Sequence, residues 1–330
     1  MDTLRNNQIT NQGIVYKKTI GSHAINLDGR VINCAISSRL RKELIYPTAD
    51  AGSLRHIVVG VKDIEAVDPV AVGDRVVFID NQDGSGLIVD VLPRRNKLVR
   101  SNPGRKALEQ VIVANLDQVI AVFSVAQPTP KWNLLDRYLV SAESLGLKAV
   151  ICITKMDLLS GNVEQTLREE METYRKIGYQ VFFTSAITGF GLNEFSAAIK
   201  DKLSVFVGKS GVGKSSLLNA LQPGLSIRLN EVSQATSKGK HTTTNLEMYP
   251  LQTGGSVVDT PGMREFGLWN VDETDLALFF PEIQPYIGRC KYGLNCRHLQ
   301  EPGCAVVEAV ISGQIEQRRY QSYMRIRAGD

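Results

Sequence analysis

The chain has 330 residues, 43% of them apolar and 22% charged, a globular balance that excludes a long disordered or fibrous protein and favours more than one domain. Its 38 Lys+Arg against 34 Asp+Glu leave a net charge of only +4, so charge alone names no nucleic-acid partner. The five cysteines are too few for a disulfide-dense secreted scaffold, and three of them fall between residues 290 and 304, which asks for a metal before a disulfide.

The first residues, MDTLRNNQITNQG, are polar and carry no apolar core of a secretory signal. The longest apolar stretch, 111–126, is interrupted by Asn115, Asp117 and Gln118 and falls short of a membrane span. The expectation is a soluble, monomeric cytoplasmic protein with no membrane partner.

The first hundred residues read as β structure. Short runs rich in Val and Ile at 14–16, 30–36, 57–61, 75–79 and 86–92 are separated by turn signals such as Asp28-Gly29, Gly73-Asp74 and Asp83-Gly84. Five short strands suit a small closed barrel. An SH3-like barrel gives nearly the same pattern, but the count of five favours an OB fold. Tyr16, Tyr46 and Phe78 are either base-stacking groups or core. A basic junction follows, with Arg94, Arg95, Lys97, Arg100, Arg105 and Lys106 and no acid between them. It reads as a solvated linker or, beside a barrel able to bind oligonucleotides, as a phosphate contact.

From about residue 107 strands alternate with helices. Strands are expected at 118–125, 149–154, 181–184 and 205–207, and helices at 134–145, 163–177 and 192–203. Such alternation predicts a parallel sheet covered on both faces. After residue 268 the pattern becomes mixed helix with a cysteine-rich loop and a basic end containing Arg318, Arg319, Arg325 and Arg327. The predicted architecture is therefore an N-terminal β-barrel (1–105), a central α/β P-loop domain (106–267) and a mainly α metal-binding domain (268–330).

Gly208-Lys209-Ser210-Gly211-Val212-Gly213-Lys214-Ser215 matches the phosphate-loop pattern G-x-x-x-x-G-K-[ST] in full. Glycines let successive N–H groups turn inward around phosphate oxygens. Lys214 suits the β- and γ-phosphates, Ser215 suits Mg²⁺, and the helix opening at Ser215-Ser216 adds its positive end. Downstream, Val257-Val258-Asp259-Thr260-Pro261-Gly262 is a strand ending in D-x-x-G, where Asp259 would hold Mg²⁺ and the Gly262 N–H would sense the γ-phosphate. Between them the segment SKGKHTTT, 237–244, offers Thr242, Thr243 and Thr244 as the switch hydroxyl for Mg²⁺, and spacing does not choose among them.

Guanine is read by a carboxylate that takes its N1–H and 2-amino protons together. Thr154-Lys155-Met156-Asp157 ends an apolar strand and carries K-x-D, with Thr154 where Asn is more usual. Thr184-Ser185-Ala186 follows another strand and suits the backbone cradle under the guanine oxygen. Both lie before the phosphate loop rather than after it.

In that order, TKMD, TSA, GKSGVGKS, HTTT, DTPG, the chain resembles the circularly permuted GTPases. With a barrel before and a cysteine cluster after, it resembles the small-ribosomal-subunit biogenesis GTPases called RsgA or YjeQ, over nearly its whole length. The resemblance implies GTP hydrolysis stimulated by the small (30S) ribosomal subunit late in its maturation, with 16S rRNA as a partner. It implies His241, in the segment G-x-H-T-T-T, as the catalytic histidine, and of the three candidate threonines Thr243 is the one assigned to Mg²⁺. Permutation opens new chain ends beside the nucleotide-sensing switch, so both flanking domains attach there and are expected to shift relative to one another when the γ-phosphate is lost. Met263 stands where many GTPases carry the Gln that orients the hydrolytic water, which predicts slow intrinsic turnover. Gly211, not Asn, occupies the position that binds potassium in some relatives of this fold.

Cys290, Cys296, His298 and Cys304 form C-x5-C-x-H-x5-C, a donor set that closes a tetrahedral zinc site and leaves no position for substrate. The family's own C-C-H-C cluster more often has four residues in the first gap, so a longer loop is expected at 292–295. Cys34 and Cys152 are expected to be core. Two competing readings are a non-catalytic GTP-dependent RNA-binding module, suggested by Met263, and a P-loop kinase or ATPase, opposed by TKMD and TSA.

Overall fold

The computed structural model describes residues 10–19, 21–27, 29–42, 44–45, 60–61, 70–101, 109–159, 161–223, 247–259, 271–299 and 301–329. Contacts gather them into two compact units, one drawn from Met1–Leu116, Lys238–Pro250 and Ser256–Pro261, the other from Asp117–Ser237, Leu251–Gly255 and Gly262–Asp330.

In the first unit β1 (Thr10–Thr19), β2 (Ser22–Leu27) and β3 (Arg30–Ile36) form an antiparallel meander. Then come α1 (Ser38–Lys42) and a two-stranded ladder of β4 (Leu44–Ile45) with β5 (Gly60–Val61). β6 (Arg75–Asp80) and β7 (Ser85–Val91) form a hairpin in which β7 runs parallel to β3 and β6 returns to pair with β1. The order β1-β2-β3-β7-β6-β1 closes a five-stranded barrel with the one parallel pair that an OB fold requires. Val15, Ile25, Ile32, Cys34, Phe78 and Ile88 fill its interior. Gly13 is required there, because a Cβ would stand 2.4 Å from Ile25 Cγ2.

The strand count agrees with the sequence reading, but the membership does not. The second barrel strand is Ser22–Leu27, and Gly60–Val61, the described part of the run at 57–61, pairs outside the barrel. Polar Ser22, His23 and Asn26 disguise that strand, although His23, Ala24 and Ile25 are all buried. Phe78 is core, Tyr16 is half-buried and Tyr46 lies outside the described residues.

The basic junction is also corrected where it is described. β8 (Lys97–Ser101) pairs with β9 (Glu109–Ala114), so this stretch is a ladder rather than a linker. Arg94 is committed to buried Asp74 through two bonds, Nε to Oδ1 at 2.7 Å and Nη2 to Oδ2 at 2.6 Å. Arg95 donates Nη2–H to the Asn115 carbonyl at 3.1 Å. These two cations stitch the unit together internally.

The second unit is built on β10 (Gln118–Ser124), β11 (Lys148–Thr154), β12 (Gln180–Phe183) and β13 (Leu203–Val207), all parallel in the order β12-β11-β10-β13. β10 is buried at every position, as its unbroken apolar run requires of a strand covered on both faces. The connecting helices are α2 (Trp132–Ser144), α3 (Asn162–Ile177) and α4 (Leu192–Ile199), and α5 (Lys214–Leu221) follows β13. Each expected element is present, with ends shifted by a few residues. β14 (Glu247–Pro250) and β15 (Ser256–Asp259) form a hairpin assigned to the first unit, where Lys17 pairs with Glu247 at 2.9 Å.

The C-terminal region of the second unit has short 3₁₀ turns and two helices, α6 (Ala305–Ile311) and α7 (Gln317–Arg327). Leu276, Phe280, Ile283, Val306 and Tyr323 pack around the cysteines, and Val140 of α2 belongs to the same cluster. No helix among the described residues is long and apolar enough to cross a membrane.

Candidate nucleotide site and metal centre

The loop 208–213 joins β13 to α5, the strand–loop–helix context that a phosphate loop needs. Gly208 is buried beneath it, and a Cβ there would stand 2.3 Å from the Val122 carbonyl oxygen. Gly211 and Gly213 take left-handed φ values of +83° and +92°, which β-carbon sterics disfavour for other residues. The Lys214 ammonium folds back over the loop and donates to the Gly208 and Lys209 carbonyls at 2.8 and 3.0 Å. α5 opens at Lys214, so its first-turn N–H groups, including those of Ser215 and Ser216, have no intrahelical acceptor and face a natural anion position. Val212 is buried, while Ser210 is exposed and Lys209 half-buried.

The motifs expected to read the base meet beside this loop. Thr154 ends β11, and its hydroxyl donates to the Val212 carbonyl at 2.5 Å, with the Phe123 carbonyl also near at 3.3 Å. The hydroxyl carries one proton, so the shorter contact takes it, and the threonine thereby ties the guanine motif to the phosphate loop. Lys155 adopts φ +61°, and its ammonium donates to the Gln127 carbonyl. Asp157 is exposed in a 3₁₀ turn, where the Ser185 hydroxyl donates to its Oδ1 at 2.5 Å. Ser185 Oγ in turn accepts the N–H groups of Ile187 and Thr188 at 3.3 and 3.2 Å. Asp157 and the Ser185-Ala186 turn are thus fixed together, with one carboxylate oxygen held and the carboxylate face open to solvent.

The four metal-ligand candidates converge. Cys290, Cys296, His298 and Cys304 are all buried, with their donor atoms within 4.8 Å of one another. Cys290 and Cys304 Sγ are 3.8 Å apart, and His298 Nδ1 lies 3.4 and 3.6 Å from Cys290 and Cys304. A tetrahedron with Zn–S of about 2.3 Å and Zn–N of about 2.0–2.1 Å has S···S edges of about 3.8 Å and S···N edges of about 3.5 Å. The donor set therefore fits zinc in identity, and Cys290, His298 and Cys304 fit it in spacing. The long first gap is taken up by a 3₁₀ turn, Gly293–Asn295, that leaves Tyr292 and Leu294 exposed. Burial pushes the Cys296 thiol up to about 12 and holds the His298 imidazole below its usual range, so the site favours neutral groups until a cation enters.

The RsgA GTPase family model matches residues 91–269. A small ribosomal subunit biogenesis GTPase RsgA from Bacteroides fragilis is 37% identical over 314 residues, covering 95% of both chains. The chain belongs to the RsgA GTPase family. A relative of the same name from Gemmatimonas aurantiaca is 45% identical over 260 residues, 78% of this chain and 83% of its own. Among solved structures, YjeQ from Thermotoga maritima superposes with a TM-score of 0.75 at 32% identity, covering 97% of this chain and 98% of that one. YloQ, described as a circularly permuted GTPase, gives 0.72 at 31% identity, covering 99% and 97%. Members of the RsgA family are GTP hydrolases, and this chain shares their permuted order.

Asp259 ends β15, while His241, Thr242, Thr243, Thr244, Gly262 and Met263 lie outside the described residues. Several residues beside the nucleotide loop escape sequence reading. Ser124 Oγ–H donates to the Pro128 carbonyl at 3.0 Å, and Pro128 Cδ lies 3.7 Å from where a Gly211 Cβ would stand. No short motif marks the 124–128 segment; only its position at the C-terminal end of a parallel strand, where α/β sheets bind ligands, points to it.

Proposed function

We propose that the protein binds GTP with Mg²⁺ and hydrolyses it during late maturation of the small (30S) ribosomal subunit, with contact to that particle raising the rate. The observation that carries this reading is the joining of TKMD to the phosphate loop through Thr154, in a chain of the RsgA family whose relatives are named for small-subunit biogenesis. Asp157 reads the guanine edge, Lys155 covers the base, and the Ser185-Ala186 backbone receives its oxygen. Residues 208–216 hold the phosphates, with Lys214 on the β- and γ-groups. Ser215 and Thr243 would hold Mg²⁺ directly and Asp259 through water, where the ion would supply neutralisation of charge on the phosphates. The Gly262 N–H senses the γ-phosphate, and His241 orients the attacking water.

In this reading one zinc ion on Cys290, Cys296, His298 and Cys304 is structural. The division into a barrel (1–105), a permuted GTPase domain (106–267) and a zinc domain (268–330) is part of the proposal, as are barrel contact with 16S rRNA, a cytoplasmic setting and a monomeric state. The test is sedimentation of the chain with purified small subunits and a non-hydrolysable GTP analogue. Co-migration that GDP weakens, and that excess ATP leaves unchanged, is expected. Equal binding with GDP, or displacement by ATP, would count against the proposal.

A further inference from the structure

The basic C-terminal end contains a cation that never reaches solvent. Arg319 on α7 is fully buried, with Nη1–H donating to Asp136 Oδ1 at 2.5 Å and Nε–H to Glu282 Oε1 at 2.6 Å. The Tyr174 hydroxyl donates to the same Asp136 oxygen at 2.7 Å. The guanidinium also lies 4.8 Å from the Phe280 ring centroid and 5.5 Å from that of Tyr174. One cation therefore joins α2 and α3 to the region that carries the metal ligands. Sliding α7 along α2 would strand a buried charge, which low-dielectric surroundings penalise heavily.

Both ends of this junction lead to a site. α2 starts just after the 124–128 segment, which meets Lys155 through the Gln127 carbonyl and approaches Gly211 through Pro128. On the other side α7 grips the metal loop: the Tyr320 hydroxyl donates to the Leu299 carbonyl, with the His298 carbonyl also near at 3.0 Å, and Tyr323 and Arg327 donate to the Arg297 carbonyl at 3.0 and 3.1 Å. A contiguous path runs from the phosphate loop to the residues flanking His298.

We propose that Arg319 is a positioning residue that makes the metal region and the nucleotide-binding sheet one body, so that contact of the small ribosomal subunit with the metal region reaches the phosphate loop through α2. The inference rests on the subunit-stimulated GTPase proposed above. It places the metal region with the nucleotide sheet in any motion driven by γ-phosphate loss.

The test uses the full chain with Arg319→Met, Arg319→Lys and Glu282→Gln. Basal turnover, subunit-stimulated turnover, KM for GTP and zinc content are measured for each. Arg319→Met is expected to keep its zinc, a basal rate within about twofold of wild type and its KM, while losing at least about tenfold of the stimulated kcat. Lys, which keeps the charge but not the planar fork that reaches both carboxylates, is expected to recover part of the loss, and Glu282→Gln to show a smaller one. Full stimulation in every variant that folds would overturn the inference. Absence of stimulation in the wild type would instead strike the proposed function. Amide exchange then decides the junction alone: α2 and α7 should open together in wild type and separately in the variants that weaken the Arg319 bonds. Separate opening in wild type would refute it.

Discussion

Replacing Thr154 by Val removes one hydroxyl and almost no volume, so it isolates the bond between the guanine motif and the phosphate loop. The Val212 carbonyl would lose a donor at 2.5 Å, and the Phe123 carbonyl a neighbour at 3.3 Å. Thr154 is 4% exposed, so water does not simply take the hydroxyl's place. A hydrogen bond is worth about 0.5–1.5 kcal/mol net, and a buried acceptor left without a donor costs about 1–3 kcal/mol. The stability cost is therefore about 1–2 kcal/mol, which lowers Tm by roughly 1–3 °C in a protein of this size. Nucleotide affinity falls only as far as the freed loop drifts from its binding shape. The net bond energy limits that drift to about a 3- to 10-fold weakening. Titration with a fluorescent GDP analogue and thermal unfolding measure both quantities. Thr154→Ser keeps the hydroxyl and should stay within about twofold of wild type. If Val leaves both affinity and Tm unchanged, or if Ser weakens binding as much as Val, the tether is not what positions the loop.

Asp157→Asn should weaken GTP by more than about 100-fold, since two charge-assisted hydrogen bonds of roughly 1.5–3 kcal/mol each are lost, and should improve XTP in competition titrations. Gly208→Ala should abolish nucleotide binding in the same titration, because its Cβ would meet the Val122 carbonyl oxygen at 2.3 Å, a backbone atom with no room to yield. Cys304→Ser should cost the chain its zinc by elemental analysis and lower its melting temperature. In wild type, burial holds Cys296 near 12 and the Cys304 thiol above its ordinary value, so these two thiols are protonated at neutral pH when no metal is bound. Zinc uptake should then release protons and tighten as pH rises, measured by calorimetry in buffers of different ionisation enthalpy.

How legible each feature is in the sequence follows the distance over which it is built. The phosphate loop, TKMD and TSA are contiguous, and the backbone needs those residues at those spacings; each occupies the expected strand end. The candidate metal ligands are separated by short gaps, and the long first gap is taken up in a turn. The barrel is half-legible, because a strand such as Ser22–Leu27 can bury His23 and Ala24 without an apolar run to announce it. The basic stretches mislead most. Arg94 finds Asp74 20 residues away, Arg327 finds the Arg297 carbonyl 30 away, and Arg319 finds Asp136 183 away. A cation with a distant partner looks, in one dimension, like a cation waiting for phosphate. The weak net charge of +4 was therefore a poor guide in either direction, since these three cations serve internal contacts.

The most direct measurement is GTP turnover by the full chain titrated with purified small ribosomal subunits, with large subunits as the control. A slow basal rate that rises at least about tenfold and saturates with small subunits alone is the predicted result. A rate unchanged at saturating small subunits, or raised equally by large ones, would contradict the account.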